Sequence, residues 1–517
     1  MLVKRVALVS LVAALACVGG ASCGSRTPLE LGSSRADGGE SFDGSFDGAQ
    51  EKGDVTGRAV THFRMDGGKV ADVAFDLSKA KIVVYVEKDG GGYDAIDGAG
   101  HADGTLVVHG VPFRPFVLRI DATMFVHSAR DVTLNRIADG RPDAVPMDWL
   151  YAPLSLRNLA PWTTSPFSSS VWLVSSNAGA AWLARLDGMS AIAAGATTVD
   201  SPRATFGRAT GGTIDPSRGD RSILFQLNPV VAPDGTPYRA VVRTLDLPTF
   251  AARTKDSPTN GSPIDGAMVD VAMTETLRYE WDAAAFTPHA ARALADGAPN
   301  QRFVVMNAEA HTGGVGVAVG YFAGGILVIA NERAPFIDGA HVVPYGQPFP
   351  GWIESSQWEL VFTAARSVAD PEAGSIQVGA ELGFFGHIPV SGKITPSIST
   401  VLDATIDGAP LLASVATVSA APTFAWSAPT IVTSAQPGSF VYAVTICPAV
   451  PSDTPCVSAS TSDTRFELPP GFLTSGVAYV ASIDATRVVD ASILAARPYD
   501  GVSVGDLTSV SAPFVVR

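Results

Sequence analysis

The sequence is poor in charged residues and in the short motifs that mark catalytic sites. Charged residues make up 17% and aromatic residues 8% of its 517 positions, whereas about 25% charged residues is usual in soluble domains. The GxSxG nucleophile elbow, the HExxH zinc motif and the CxxC redox motif are all missing. The eight histidines are scattered, with no pair at metal-ligand spacing. We therefore expect a non-catalytic protein with neither a metal site nor a cofactor.

Basic residues are also scarce. Against 50 Asp and Glu there are 36 Lys and Arg, which gives a formal net charge of −14. Nucleic acids select basic surfaces, so this chain is not expected to bind them. The negative charge also opposes docking onto anionic lipids. No apolar run after the N-terminal segment reaches the roughly 18–20 residues of a transmembrane helix.

The N-terminal segment predicts export. Lys4 and Arg5 precede an apolar run over 6–18, which is too short to span a bilayer and has the length of a signal-peptide core. Small residues then lead to Cys23 in the sequence GGASCGS. This arrangement resembles the lipobox of bacterial lipoproteins, in which the cysteine is acylated and becomes the new N-terminus. It departs from that pattern at Gly20, where leucine is preferred.

The lipobox resemblance implies a signal peptide over 1–22 and a lipid on Cys23. Cys17 is a competing acylation site, and ordinary secretory cleavage near Ala21 is a further alternative. Gly24, rather than aspartate, follows Cys23, which agrees with the sorting pattern of outer-membrane lipoproteins. We expect an exported lipoprotein of the outer membrane, facing the periplasm or the cell surface, whose membrane contact is the lipid anchor.

The two remaining cysteines predict a disulfide. Cys447 and Cys456 enclose eight residues in CPAVPSDTPC, a turn-rich loop between two strand-like runs. In an oxidising compartment such a pair is expected to be bonded. Two cysteines without a nearby histidine make at most half of a zinc site.

Short apolar runs separated by turns predict an all-β, multi-domain fold. The 51 glycines and 36 prolines punctuate strand-like segments along most of the chain. A Gly/Asp-rich stretch precedes them and is expected to be a disordered tether. The expected divisions are a signal peptide (1–22), a lipid-anchored linker (23–54), a β-sandwich (55–129), a central β-sandwich or barrel (130–395), a connector (396–422) and a second β-sandwich (423–517).

The sandwich at 55–129 contains the strand-like runs VTGRAV and AKIVVYVEK, followed by DGTLVVHGVP. This pattern resembles carboxypeptidase regulatory-like domains, which are transthyretin-like sandwiches. The resemblance implies a structural or binding module and brings no catalytic residues.

The sandwich at 423–517 places Trp426 on an early strand and Leu473 six residues before Tyr479, with Gly476 between them. This spacing resembles the tyrosine corner of fibronectin type III domains. The resemblance implies that the Tyr479 hydroxyl bonds to nearby backbone, while Leu473 and Trp426 fill the core.

Aromatic residues in two Pro-rich stretches are the candidate binding residues. Exposed rings on a β-sandwich rim can stack on sugars or anchor a protein partner, although rings that pack in the core would give the same sequence pattern. The candidates are Tyr345, Phe349, Trp352 and Trp358 in YGQPFPGWIESSQW and, in the second stretch, Trp149, Tyr151 and Trp162.

These features favour a non-catalytic envelope lipoprotein with a binding, adhesion or scaffolding role toward a glycan or an envelope protein. The alternative is an exported polysaccharide hydrolase, which requires two carboxylates facing each other in the central domain. A third hypothesis is calcium-dependent adhesion through the Asp-rich loop at 89–103.

Overall fold

The chain folds into three consecutive β modules that also contact one another, which confirms the all-β, multi-domain prediction. No helix among the described residues is long and apolar enough to cross a bilayer. The computed structural model describes residues 30–32, 51–66, 69–147, 149–164, 168–185, 192–207, 212–253, 260–285, 288, 300–311, 324–329, 338–349, 353–367, 375–387, 393, 398–413, 417–430, 439–449, 455–488, 503–511 and 513–517.

The N-terminal module is a sandwich of two sheets around one apolar core. Its strands are β1 (Glu30–Gly32), β2 (Lys52–Met65), β3 (Lys69–Ala74), β4 (Ile82–Glu87), β5 (Tyr93–Asp97), β6 (Ala99–Gly100), β7 (Thr105–Pro112), β8 (Phe116–Ile120), β9 (Thr123–His127) and β10 (Asp131–Asp139). One sheet has the order β1-β10-β2-β7-β6, with β3 also beside β2. The other has the order β5-β4-β8-β9.

The second of these sheets is buried on both faces. Ile82 and Val84 point into the module's own core, whereas Val117 and Met124 belong to the core of the C-terminal module. A strand buried on both faces is expected to show a continuous apolar run instead of alternation. The sequence IVVYV of β4 has this character.

The central module is a barrel-like ring. Strands β11, β14, β13, β12, β15 and β16 pair in that order, and the β17–β18 segment pairs with β11 on one side and β16 on the other. The bounds are β11 (Trp149–Arg157), β12 (Ser170–Ser175), β13 (Ala180–Arg185), β14 (Val199–Gly207), β15 (Ser222–Val231), β16 (Pro237–Leu247), β17 (Ile264–Ala267), β18 (Val269–Asp270), β19 (Glu275–Trp281), β20 (Asn300–His311), β21 (Gly324–Val328), β22 (Gly339–Tyr345), β23 (Ile353–Ser367) and β24 (Ser375–His387), with 3₁₀ turns at Pro216–Arg218 and Ala283–Ala285.

The interior of the ring is the core of this module. Inward-facing side chains alternate with outward-facing ones along each strand. On β11 the inward residues include Leu150 and Leu154, which pack with Trp182 of β13 and Phe206 of β14. Outward residues of the same strands therefore define the surface of the barrel.

A two-stranded ribbon of β19 and β22 covers one side of this surface. The Tyr238 hydroxyl on β16 donates to the Pro344 carbonyl of β22 at 2.6 Å. The Phe225 ring of β15 meets the Phe349 ring edge-on, with centroids 5.6 Å apart. The outer face is thus packed at β15–β16.

The C-terminal module is a second sandwich. Its strands are β25 (Leu402–Ile406), β26 (Ala409–Pro410), β27 (Thr417–Val418), β28 (Thr423–Ser427), β29 (Ser439–Pro448), β30 (Val457–Thr461), β31 (Arg465–Glu467), β32 (Ala478–Val488), β33 (Ser503–Val510) and β34 (Phe514–Val516). One sheet has the order β26-β25-β28-β31, and the other pairs β30, β29, β32 and β33 in that order.

The predicted corner and disulfide form in this module. The backbone N–H of Thr474 donates to the Tyr479 hydroxyl oxygen at 3.0 Å, and Leu473 and Trp426 are buried in the core. The disulfide between Cys447 and Cys456 is confirmed. It joins the end of β29 to the residue before β30.

Two divisions of the chain differ from the sequence-based expectation. Within the predicted linker, β1 pairs with the edge of β10, and β2 already begins at Lys52. Within the predicted connector 396–422, β25 pairs with β28 and is part of the C-terminal sandwich. Both segments use ladder hydrogen bonds to a neighbouring strand, which composition alone does not reveal.

The N-terminal and C-terminal modules share an interface. Strand β9 runs parallel to β30, and the buried Met124 of β9 joins the C-terminal core. The Arg119 guanidinium lies 4.5 Å from the centre of the Phe472 ring. The Tyr93 hydroxyl donates to the Glu467 carbonyl at 3.3 Å, and burial and the nearby Glu467 carboxylate raise the pKa of Tyr93 so that it stays protonated.

Candidate functional site

An open pocket of about 400 Å³ lies on the outer face of the barrel, where β11 and β14 run side by side. Its lining residues are Trp149 and Tyr151 from β11 and Arg203 and Thr205 from β14. The alternation that buries Leu150 in the core turns Trp149 and Tyr151 outward. We call these four lining residues the aromatic platform.

A glycine sets the position of the indole. Gly207 is directly opposite Trp149 in the ladder. A Cβ atom at Gly207 would lie 2.1 Å from Cζ3 of Trp149, so only glycine lets the ring rest on the neighbouring backbone. Trp149 remains 41% exposed, which leaves one part of the indole available to a ligand.

A β-bulge sets the position of Arg203. The register shifts between the pairs Ala152↔Ala204 and Leu154↔Ser201, so two residues of β14 oppose Pro153 alone. One of those two residues is Pro202. Prolines have no N–H to donate to the ladder and favour bulges, and a bulge re-aims the side chains beside it. Arg203 consequently faces outward next to Tyr151.

Arg203 stacks on an aromatic ring. Its guanidinium carbon lies 4.3 Å from the centre of the Tyr151 ring. Within the described part of the chain it forms no ion pair and no hydrogen bond. The contrast is Arg130, which stacks on Phe113 at 4.5 Å but donates to two backbone carbonyls. Only the first arrangement leaves a cation ready for an external partner.

An amide side chain bonds to the first residues of β11 on the side where β17 pairs only with Leu154–Arg157. The Tyr151 N–H donates to Asn260 Oδ1 at 2.7 Å, and Asn260 Nδ2 donates to the Trp149 carbonyl at 3.1 Å. The N–H of Gly261 donates to the Tyr151 carbonyl at 3.0 Å. Asn260 therefore acts as a strand partner and fixes the backbone that carries both rings.

The chemistry of the platform suits binding. An exposed indole offers a flat apolar face, and a stacked guanidinium offers N–H donors beside it. Thr205 adds a hydroxyl to the pocket lining. None of the four lining residues carries a carboxylate, whereas glycoside hydrolysis uses a pair of them.

The structure brings together two of the aromatic residues named from the sequence. Trp149 and Tyr151 share the platform. Trp162 is partly buried against the barrel core and is not part of it. The sequence-based expectation missed Arg203 and Thr205. The alternation of Arg203, Thr205 and Gly207 in SPRATFG would have indicated that they lie on one face of a strand. No residue near them in the sequence indicates that this strand pairs with β11.

The other aromatic stretch requires a correction. Tyr345 and Phe349 are buried, at 1% and 0% exposure, because the ribbon of β22 and the following loop pack against the barrel. They offer no face to a ligand in this arrangement. Trp358 lies on β23, and its side chain, like the whole of Trp352, is outside the described residues.

The buried His341 contacts a hydroxyl and a carboxylate, the two types of group that accompany histidine in a catalytic triad. His341 Nδ1 lies 2.8 Å from Thr236 Oγ1 and 3.2 Å from Asp234 Oδ2. Both contacts involve the same ring nitrogen, whereas a triad uses one nitrogen for the carboxylate and the other for the nucleophile. Burial raises the pKa of Asp234, but hydrogen bonds from Thr236 and His341 outweigh it and lower that pKa overall. The group ties the β15–β16 loop to β22.

The Asp-rich loop directs its carboxylates to separate protein partners. Asp89 pairs with Arg114 at 3.1 Å and Asp94 with Lys88 at 2.8 Å. The hydroxyl and N–H of Thr105 bond to Asp103 and hold the pKa of that carboxyl below its ordinary value. In the part of the chain that the structure describes, no three His, Cys, Asp or Glu residues are grouped to hold a metal ion.

No protein-family model and no curated protein matches this sequence. Among solved structures, the chain is similar to the tetra-tandem repeat in the extending region of a large adhesion protein, with 11% identity over 88% of this chain and 99% of that chain and a TM-score of 0.12. It is also similar to the FN1–FN3 domains of chicken CNTN1, with 8% identity over 72% of this chain and 99% of that chain and a TM-score of 0.12. Likenesses at this TM-score carry no argument about function.

Proposed function

We propose that the chain is a non-catalytic cell-envelope lipoprotein that binds a glycan through the aromatic platform. One observation carries the proposal: an indole that rests on Gly207 and stays partly exposed, beside a guanidinium stacked on Tyr151. The apolar C–H face of a sugar ring stacks on an indole, while its hydroxyl groups accept hydrogen bonds from Arg203 and exchange them with Thr205.

The size and shape of the pocket favour a glycan over a protein partner. Its volume of about 400 Å³ lies in the range of roughly 300–1,000 Å³ typical of small-molecule sites. A stable protein interface buries about 1,200 Å² or more around a central anchor. The platform offers a single exposed ring, which is enough for one or two sugar units.

Three features support an exported, anchored protein. The segment 1–22 has the organisation of a signal peptide, and Cys23 follows it in a lipobox-like setting. The bond between Cys447 and Cys456 agrees with an oxidising compartment. With Gly24 after Cys23, these features support our proposal of an outer-membrane lipoprotein whose modules lie in the periplasm or at the cell surface.

The test of the platform is direct binding to a panel of oligosaccharides, first on an array and then by calorimetry. Replacing Trp149 by alanine removes the stacking surface, so we expect affinity to fall about tenfold or more, equal to about 1.4 kcal/mol. The ring also covers Gly207, so a modest loss of stability is expected, and binding is measured well below the unfolding temperature of the variant.

The matched control is Phe113→Ala. Phe113 is 58% exposed, lies over Gly53 and has Arg130 stacked on it, but it belongs to another module. We expect this variant to bind like the wild type. Equal affinity of the Trp149→Ala variant and the wild type, or a wild type that binds no glycan, would refute the proposal.

A further inference from the structure

We propose that the glycan bound by the aromatic platform is acidic, and that Arg203 recognises the carboxylate of a uronic-acid unit. This inference rests on the proposed function and specifies its ligand class.

Arg203 differs from two other arginines that stack on aromatic rings. The guanidinium groups of Arg119 and Arg130 also lie 4.5 Å from the centres of phenylalanine rings, but each donates to a backbone carbonyl. Eight further arginines form ion pairs with an aspartate or a glutamate: Arg64, Arg114, Arg141, Arg157, Arg218, Arg221, Arg243 and Arg465. Arg203 combines a fixed, stacked orientation with no such partner among the described residues.

The stacking geometry prepares Arg203 for a planar anion. A guanidinium that lies flat over a ring points its N–H groups outward in its own plane. Two of these N–H groups can donate to the two oxygens of one carboxylate. Tyr151 restrains this orientation at 4.3 Å, and the bulge that contains Pro202 aims Arg203 outward. Less side-chain entropy is lost on binding as a result.

The spacing along β11 fits a sugar with a carboxylate on its edge. Trp149 and Tyr151 are two residues apart on one strand, about 7 Å. A sugar ring stacked on Trp149 therefore extends its edge toward the guanidinium over Tyr151. A substituent on that edge is within reach of Arg203.

The net charge of −14 opposes any acidic ligand at long range. At physiological ionic strength this repulsion is screened beyond about 8 Å, whereas a contact ion pair persists. The four lining residues supply one cation and no anion. The nearest acidic residue along β14 is the exposed Asp200, so its removal should strengthen binding of an acidic ligand.

The experiment uses the full chain and a pair of probes that differ only in charge. Tetragalacturonate and its methyl ester have the same ring shape, and calorimetry at low and high salt measures both affinities. We expect the acid to bind the wild type about tenfold more tightly than the ester, as suits a charge-assisted contact. Tetramers of glucuronate and mannuronate extend the test to other uronic acids.

Two variants assign the effect to Arg203. Arg203→Gln is expected to bind acid and ester equally, because the affinity for the acid falls about tenfold more than the affinity for the ester, which loses only a hydrogen-bond donor. Asp200→Asn is expected to raise the affinity for the acid about twofold and to leave the affinity for the ester unchanged, because only the acid is repelled by the Asp200 carboxylate. Thermal unfolding of both variants should match the wild type.

The outcomes separate this inference from the proposed function. If acid and ester bind the wild type equally, or if only neutral glycans bind in a Trp149-dependent way, the acidic ligand is refuted and the platform stands. If no glycan on the panel binds, the proposed function fails and this inference fails with it.

Discussion

At the residue scale, the aromatic platform depends on groups that three residues lack. Gly207 has no Cβ, so the Trp149 indole can rest on its backbone. Pro153 and Pro202 have no N–H, and the ladder between β11 and β14 slips by one residue where they meet. That slip turns Arg203 outward. The rings of the platform were visible in the sequence, whereas its cation depended on a register shift between strands about fifty residues apart.

The tyrosine corner gives a test at the same scale. Tyr479→Phe removes the acceptor for the Thr474 N–H and keeps the ring, so we expect a loss of about 1 kcal/mol in the stability of the C-terminal module. Hydrogen exchange of the amides in β32 should accelerate about fivefold. Tyr479→Leu also removes the ring that stacks near Phe514 and should cost more. Unchanged exchange in the Phe variant would show that the hydrogen bond contributes nothing.

At the element scale, the sequence predicted single strands and motifs whose residues lie close together in the chain. The run AKIVVYVEK predicted a strand, and the structure has β4 within it, with both faces of its sheet covered. The tyrosine corner was predictable because its residues lie within one short stretch. The pairing of β9 with β30 was not, since neither strand carries a signal for a partner so distant in the chain. The contact of Tyr93 with Glu467 spans 374 positions.

The β9–β30 interface can be tested with one charge. Met124 is fully buried in the C-terminal core, so Met124→Asp places an unpaired carboxylate there at a cost of several kcal/mol. We expect faster hydrogen exchange in β30 as well as in β9. Val70→Asp, on the exposed strand β3 of the same module, is the matched control and should leave β30 protected. If the β30 amides of the Met124→Asp variant exchange as slowly as in the wild type, the interface between β9 and β30 is contradicted.

At the scale of the whole molecule, the three modules are linked at more points than the chain connections require. The Asp66 N–H in the N-terminal module donates to Asn177 of the barrel at 3.0 Å. The C-terminal module meets the central module where Leu382 of β24 pairs with Leu507 of β33, and it meets the N-terminal module at β9. The sequence indicated several β modules, but contacts between modules leave no local pattern in composition or periodicity.

The proposed anchor is a property of the whole chain and is tested as such. Cys23→Ala removes the acylation site, so we expect the natively expressed protein to leave the membrane fraction and its intact mass to lack the lipid. Cys17→Ala is the control and should stay at the membrane. If the Cys23→Ala protein remains lipidated, Cys17 carries the lipid. If wild type and variant are both soluble and unmodified, the anchor is refuted.

The parallel pairing of β2 and β10 has a mechanical consequence. The ladder runs from Thr56 opposite Asp131 to Arg64 opposite Asp139, and it ends in an ion pair of 2.7 Å between Arg64 and Asp139. Because the strands are parallel, a pull that enters at the start of β2 and leaves at the end of β10 acts along the strands in opposite directions. All the hydrogen bonds between them then bear the load in shear, together, and do not open one after another. A ligand held on the barrel and an anchor ahead of β2 would apply tension in this direction.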